Sequence, residues 1–344
     1  MQIEKIEKII LDIKKYISKC TIDNSFFNHL AIRLYNIHYE MNDVYRRYCN
    51  DDQILTWSNI PLMPTSVYSS NSPIGLSMQT EMPFPGIVFK NNSASHYIRD
   101  TELYKFSIVN SYPKFILDED NLVPWINFIG MTNDDSYSSS KYVIEYLSEV
   151  FHGSIIFDPN KIFDKIQETY GDEVTISIPA VITAHQHSYQ NLLNFSSELK
   201  KQDEFYAKLN LGSKAIEIQE GKTNSSMSVS MDIMNLFDIN QVTRMLITPE
   251  ITSPMYSTIK KSKLQACIKN NIQIEPEYFA GPWMKFRLID DKTGRHSLPG
   301  KYGRVAFYDL SNLWSCPFVL TNYIGKIGPK GGLVFENAML KESH

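Results

Sequence analysis

The chain of 344 residues has no Cys-x-x-Cys pair, no apolar run of membrane-spanning length and no strong excess of either charge. Its four cysteines, Cys20, Cys49, Cys267 and Cys316, are scattered. That spacing excludes a disulfide framework and a zinc pattern, and reads as free thiols in a reducing compartment. A membrane span needs roughly 18 or more apolar residues, and no such stretch occurs. Residues 1–20 mix Glu, Lys and Asp among Ile and Leu, so no signal-peptide core is read there. Against 34 Lys and Arg stand 38 Asp and Glu, which leaves no broad basic field for nucleic acid or a membrane surface. A cytoplasmic protein is expected. Internal repeats and low-complexity tracts are absent as well.

What is present is a core. Hydrophobic residues make up 43% of the chain, ample for one large domain or two medium ones. The 20 tyrosines and 18 phenylalanines can line an apolar pocket or simply fill the interior. Ile3, Ile6, Ile9, Ile10, Ile13 and Ile17 recur at helical spacing. A second helix is predicted from Asn24 to about Tyr48, with Phe27, Leu30, Leu34, Ile37 and Met41 as its buried stripe and Asp23 or Asn24 as its cap. Trp57 to Ser66 reads as an ordered crossing loop, and Ser69 to Phe89, rich in Ser, Pro and Gly, as loop. Helices are expected over 100–114, 138–150, 161–170 and 189–209. Short strands are expected over 154–157, 174–178, 215–218 and 245–248. The last hundred residues change character: 285–291, 304–309, 318–321 and 333–336 are strand-like between Gly, Pro and Asp turns. Alternating helix and strand followed by strands predicts an α/β fold with a β-rich C-terminal portion. Three stretches are read: a helical segment, 1–68, packed on the main domain; an α/β core, 69–270; and the β-rich portion, 271–344.

Several ordered blocks carry a family resemblance. They are Phe27-Asn28-His29-Leu30-Ala31, Tyr45-Arg46-Arg47-Tyr48-Cys49, Trp57-Ser58-Asn59-Ile60-Pro61 with Pro64-Thr65-Ser66, and Ser95-His96-Tyr97-Ile98-Arg99-Asp100 with Tyr104. Pro282-Trp283, Pro299-Gly300, Gly303 and Asp309-Leu310-Ser311-Asn312-Leu313-Trp314 follow. Each is weak alone. In this order, across most of the chain, they resemble the acyl-protein synthetases of bacterial bioluminescence and their relatives, a branch of the adenylate-forming ligases. The resemblance implies an adenylate-forming-ligase-like large domain. It also implies ATP and Mg as cofactors, and activation of a fatty or aromatic carboxylic acid to acyl-AMP followed by transfer to a thiol. That chemistry needs donors around phosphate, a metal to neutralise it and a nucleophile with thiolate character.

The resemblance also assigns residues. His96 and Glu250 take the catalytic positions, with Glu250 serving the metal. Ser93, Ser95, Lys222, Asp309 and Tyr323 take the cofactor-binding positions. Five departures accompany them. The loop Lys90-Asn91-Asn92-Ser93-Ala94 lacks the family's glycines and threonines, which let backbone N–H groups approach phosphate. In Leu246-Ile247-Thr248-Pro249-Glu250, a leucine stands where the family has tyrosine, and Pro249 lacks both the hydroxyl and the N–H of threonine. Thr321-Asn322-Tyr323 stands where an aspartate would hold the ribose, and Gln219-Glu220-Gly221-Lys222-Thr223 keeps only part of a glycine-rich stretch. The C-terminus has no acyl-accepting cysteine after Cys316.

Blander readings stand beside each assignment. His96 can simply order its loop, Glu250 and Asp309 can be structural, and Lys222 can be an exposed lysine. His185 and His187 would share a strand face, but no third metal ligand is identifiable. Cys49 and Cys316 can accept an acyl group or lie inert. Two further functional readings follow from the departures. One is a catalytically inactive subunit that binds a protein partner, an active homologue or an acyl-CoA reductase. The other is a transferase that takes a preformed acyl thioester without ATP.

Overall fold

The computed structural model describes residues 2–50, 53–69, 76, 87–90, 95–112, 128–129, 139–150, 155–156, 181–185, 214–220, 231–232, 234–235, 240–248, 250–272, 274–298 and 300–339. The isoleucine repeat forms α1 (Gln2–Lys19), burying Ile6, Ile9, Ile13 and Ile17 against α2 (Asn24–Met41). The Asp23 side chain caps α2 by accepting from the Phe26 N–H at 2.9 Å. The predicted run to Tyr48 is broken one residue after Met41. Asn42 takes an extended conformation, and its side chain accepts from the Tyr45 N–H at 3.1 Å, starting α3 (Asp43–Tyr48). Asparagine is a strong cap and a weak helix interior residue. The apolar spacing continues through the break, which is why periodicity alone runs past it.

These helices are seated on a mostly antiparallel sheet. β1 (Met63–Pro64) pairs parallel with β12 (Phe318–Ile327); β11 (Gly303–Asp309) lies between β12 and β10 (Met284–Ile289); β13 (Leu333–Met339) joins the second half of β12. The contact is aromatic and cationic. The Lys285 ammonium lies 4.8 Å from the Phe27 ring centre and 5.1 Å from that of Trp57. Trp57 in turn meets Tyr308 edge-on at 4.8 Å. Such cation–π contacts hold more when shielded from water. Tyr16 donates to the Pro282 carbonyl at 3.1 Å.

The second sheet runs β5 (Ile155–Ile156), β4 (Phe128–Ile129), β6 (Val181–His185), β7 (Lys214–Glu220), β8 (Gln241–Ile247), β9 (Met255–Lys260). All pairings are parallel except β8 with β9. Six of seven β8 residues are buried, as expected of a strand covered on both faces. Its Met245 and Ile247 share a core with α4 (Glu102–Ser111) and α5 (Ser139–Val150), where Tyr104 stacks on Tyr142 at 5.4 Å. The two sheets are stapled by one segment: Tyr278 exchanges backbone hydrogen bonds with Leu333, and Phe279 with Tyr256.

The α/β order with a β-rich C-terminal part agrees with the expectation. Several elements were not anticipated. The hairpin of β2 (Ile87–Lys90) and β3 (Ser95–Ile98) begins inside the stretch read as loop, because Ile87-Val88-Phe89 is too short to outweigh its Ser- and Pro-rich flank. β9 and the helix α6 (Lys261–Lys269) follow a Thr-Ser-Pro turn that masks the strand start. β6 was also missed. The expected elements over 161–170, 174–178 and 189–209 lie outside the described residues. Among the described residues no helix is long and apolar enough to cross a membrane.

Candidate functional site

Parallel strands aim their carboxyl ends at one edge of the sheet, and in open α/β sheets ligands bind in the crevice outside that edge. Here the edge carries His185 at the end of β6, Glu220 at the end of β7 and the 248–254 turn beyond β8. Glu250 sits in that turn. Its side chain is buried, with the residue only 6% exposed. Burial raises its carboxyl pKa above the usual range, and the nearby Thr248 and Tyr323 hydroxyls offset this in part. Its Oε2 has no hydrogen-bond partner among the described residues, and neither does Thr248 Oγ1, whose contact with the carboxyl is therefore a loose one. Thr65, which continues β1 beside the first half of β12, has a third buried oxygen without a partner. Buried polar atoms are nearly always paired, so the neighbouring Glu250 and Thr248 oxygens are unusual.

The rest of the turn is held from β11. Asp309 Oδ2 accepts from Thr252 N at 2.8 Å, Thr252 Oγ1 at 3.3 Å and Ser253 N at 2.9 Å. Oδ1 accepts from Ser253 Oγ at 2.7 Å, Ser311 N at 3.0 Å and Ser311 Oγ at 2.7 Å. Two carboxylate oxygens offer about four lone-pair sites, so Asp309 is saturated by its own chain. The hydroxyls continue outward: Trp283 Nε1 donates to Ser107 Oγ at 3.0 Å and to Ser253 Oγ at 2.9 Å, tying α4 to the turn. Asn312 Nδ2 donates to the Glu250 and Cys316 carbonyls, both at 2.9 Å.

His96, on β3, is fully buried and hydrogen-bonds Ser315 Oγ through Nδ1 at 3.1 Å. Burial drives its pKa down to about 3, so the ring is neutral. Two residues earlier in the same loop, the Leu313 carbonyl accepts from His38 Nε2 at 3.0 Å, and burial lowers the His38 pKa to about 4. Both histidines thus grip the 310–317 loop that also carries Ser311 and Asn312.

Of the residues assigned from sequence, Glu250 and Tyr323 are brought together, and Asp309 is joined to the same turn through Thr252 and Ser253. His96 is joined to the 310–317 loop through Ser315. Ser95 opens β3 opposite Lys90. Ser93, Lys222 and His187 lie outside the described residues. Within the stretch standing for the ribose aspartate, Asn322 Oδ1 accepts from Arg304 at 3.2 Å. Sequence reading missed the network of Ser107, Ser253, Ser311 and Trp283. Only the Asp-x-Ser spacing at 309–311, a known turn signature, hinted at it.

The comparisons with known proteins follow from this architecture. No protein-family model matches the sequence, and no curated protein matches it. Solved structures do. 2-Hydroxyisobutyryl-CoA ligase in the postadenylation state, in complex with R3-HIB-AMP, aligns over 92% of this chain and 66% of its own with a TM-score of 0.60 and 9% identity. The same ligase with 2-HIB-AMP and CoA in the thioesterification state aligns over 98% and 69%, with a TM-score of 0.58 and 10% identity. The luciferase-like enzyme of the nonluminescent mealworm Zophobas morio aligns over 75% and 58%, with a TM-score of 0.50 and 10% identity. The fold is that of the adenylate-forming ligases. The chain spans between 58% and 69% of the length of these proteins.

In this ligase fold neither cysteine from the resembling blocks is activated. Burial pushes the Cys49 thiol up to about 11, with Tyr45 and Tyr35 contacts opposing the shift. Cys316 is buried, and its thiol donates to the Phe318 carbonyl at 3.5 Å. The thiolate is the reactive form. Alkylation of Cys49 at pH 7 is therefore expected to run more than about tenfold slower than that of free cysteine, allowing for the higher intrinsic nucleophilicity of a basic thiol. Peptide-resolved labelling kinetics with iodoacetamide checks this; labelling at the free-cysteine rate would contradict it.

Proposed function

We propose that this chain is a carboxylate-activating protein of the acyl-protein synthetase kind, with its reacting centre at the Glu250 turn. The observation that supports it is the buried Glu250 carboxyl with an unmatched oxygen, at the carboxyl end of β8. In the same fold, 2-hydroxyisobutyryl-CoA ligase is known with an acyl-AMP ligand. The reaction would join a carboxylic acid to ATP, releasing pyrophosphate, before transfer of the acyl group to a thiol.

Glu250 Oε2 with Thr248 Oγ1 fits a hard cation that takes oxygen ligands. Magnesium commonly uses one or two carboxylates and leaves the remaining positions to phosphate and water. Among the described residues no group of three or more His, Cys, Asp and Glu could hold a metal, so Glu250 would bind it with oxygen ligands from phosphate and water. A bound divalent cation would favour the ionised carboxyl that burial disfavours. In this reading Asp309 positions the turn, His96 fixes the 310–317 loop, and Tyr323 neighbours the metal position.

The nucleotide is less well served. Both Asp309 oxygens and the Asn322 oxygen are occupied by the chain's own donors, which favours a second reading: a non-catalytic subunit that keeps the fold and binds a protein partner. Transfer without ATP is the least favoured reading, because the Cys49 thiol is raised and Cys316 is buried. Pyrophosphate release with ATP, magnesium and a panel of short, long and aromatic acids separates the readings. The ligase reading expects release that depends on one acid and falls at least about a hundredfold in Glu250→Ala, the scale of losing a main electrostatic contact to the transition state. No release across the panel, together with no rise in melting temperature on adding MgATP, would reject it in favour of the subunit.

A further inference from the structure

β9 is an edge strand of the second sheet among the described residues, and only part of its outer edge is covered. At Tyr256 both outward backbone groups are bonded to Phe279. Outward groups alternate along a strand, so the next pair belongs to Thr258. Its N–H and C=O have no partner among the described residues. The close Thr243–Thr258 hydroxyl contact at 3.1 Å agrees with this parity, since non-hydrogen-bonded pairs bring side chains closest. Beyond the Phe279 bridge the 274–279 segment diverges from β9 and leaves a groove of about 250 Å³ between them. Ile274, Pro276 and Phe279 give it an apolar wall.

The charge around this groove has one sign in excess. Lys260 on the strand, Lys263 on α6 and Lys330 opposite are exposed and make no ion pair among the described residues. Of the acids, Glu275 is neutralised by Lys326 at 2.7 Å, while Glu277, held by the Lys330 and Gly332 N–H groups at 2.9 and 3.3 Å, keeps its charge, which leaves three lysines against one carboxylate. An unpaired strand edge beside an apolar wall, rimmed by free ammonium groups, matches one occupant. We propose that the β9 groove binds an extended segment of a partner protein that carries acidic side chains, added as a further strand through Thr258. Main-chain bonds would give affinity, and the lysines would select acidic over basic segments. Lysines also guard edges against pairing, and these would repel only other basic edges.

The test is fluorescence anisotropy of the full chain with a labelled octapeptide of alternating Glu and Val, against one of alternating Lys and Val. Thr258→Pro removes one outward N–H and leaves the bonds to β8 in place, a substitution that edge strands tolerate. The proposal expects saturable binding of the acidic peptide only, weakened about tenfold by Thr258→Pro and by Lys263→Glu with Lys330→Glu, the scale of one backbone bond plus lost ion contacts. The melting temperature of each variant, measured alongside, should match the parent. It is overturned by absent saturation, by equal binding of the basic peptide, or by a Thr258→Pro variant that melts normally and binds unchanged. A concentration-dependent dimer abolished by Thr258→Pro, without peptide binding, would overturn it in favour of a second copy of this chain.

Discussion

Asp309→Ala is expected to lower the melting temperature by about 10 °C. Alanine removes an acceptor of three backbone N–H groups, Thr252, Ser253 and Ser311, and of the three hydroxyls of the same residues. All of these residues are buried, so water does not replace the carboxylate. Each orphaned buried donor costs roughly 1–3 kcal/mol. The hydroxyls can turn to one another: Thr252 and Ser253 already lie 2.7 and 2.8 Å from Ser311 Oγ. The backbone groups cannot, and they set the cost at about 5 kcal/mol. For a chain of this size each kcal/mol moves the melting point by about 2 °C. Asp309→Asn retains the shape but turns an NH2 toward donors, and about half the effect is expected. Differential scanning fluorimetry of both variants checks the order. A shift below about 2 °C for Asp309→Ala would mean that the turn is held by something other than this carboxylate.

The turn's partners show how far the sequence could be read. Asp309 and Ser311 carry a local signal, a strand end followed by an Asx-type spacing, because both partners belong to one short stretch. Ser107, Ser253 and Trp283 meet across separations of 146 and 176 residues, and nothing local marks a serine that bonds over such a distance. Glu250 and Tyr323 were singled out separately, through the resemblance, and only the fold shows them as neighbours. The long elements were legible for the opposite reason. α1 repeats isoleucine on one face, and β10, β11 and β13 are short apolar-rich runs bounded by Gly, Pro or Asp turns, so the pattern is in the element itself. β9 and β6 are short runs beside Pro or His, where pairing with β8 and β7 decides the structure and local composition does not. The break at Asn42 is a capping event that apolar spacing cannot register.

Stability is expected to fall steeply as pH drops from about 6.5, and His38 and His96 are expected to account for much of the loss. In the fold both rings are neutral, with pKa values lowered by burial from 6.5 to about 4 and about 3. In the unfolded chain each protonates near 6.5. Between the folded and unfolded values the unfolded state therefore binds more protons, and acid favours it. The contribution is fully present above about pH 6.5, declines through the interval, and is gone below about pH 4 for His38 and about pH 3 for His96. At 1.36 kcal/mol per pKa unit, the intervals amount to about 3 kcal/mol for His38 and about 5 kcal/mol for His96. Both rings brace the same loop, through the Leu313 carbonyl and Ser315 Oγ. Protonating either one in place would put a buried charge against the loop that supports Asn312 and the Glu250 carbonyl. Glu250 moves the opposite way: its raised pKa makes folding easier as the carboxyl protonates, and so relieves part of the acid loss. Urea titrations at pH 7.5, 6 and 5 measure the slope. His38→Gln and His96→Gln each keep a side chain able to hydrogen-bond and remove the titration. Each should flatten the decline between pH 6.5 and 5 by about 1–2 kcal/mol, even where its stability at pH 7.5 is lower. A decline unchanged in both variants would assign acid sensitivity to other groups and detach the two histidines from the stability of the Glu250 turn.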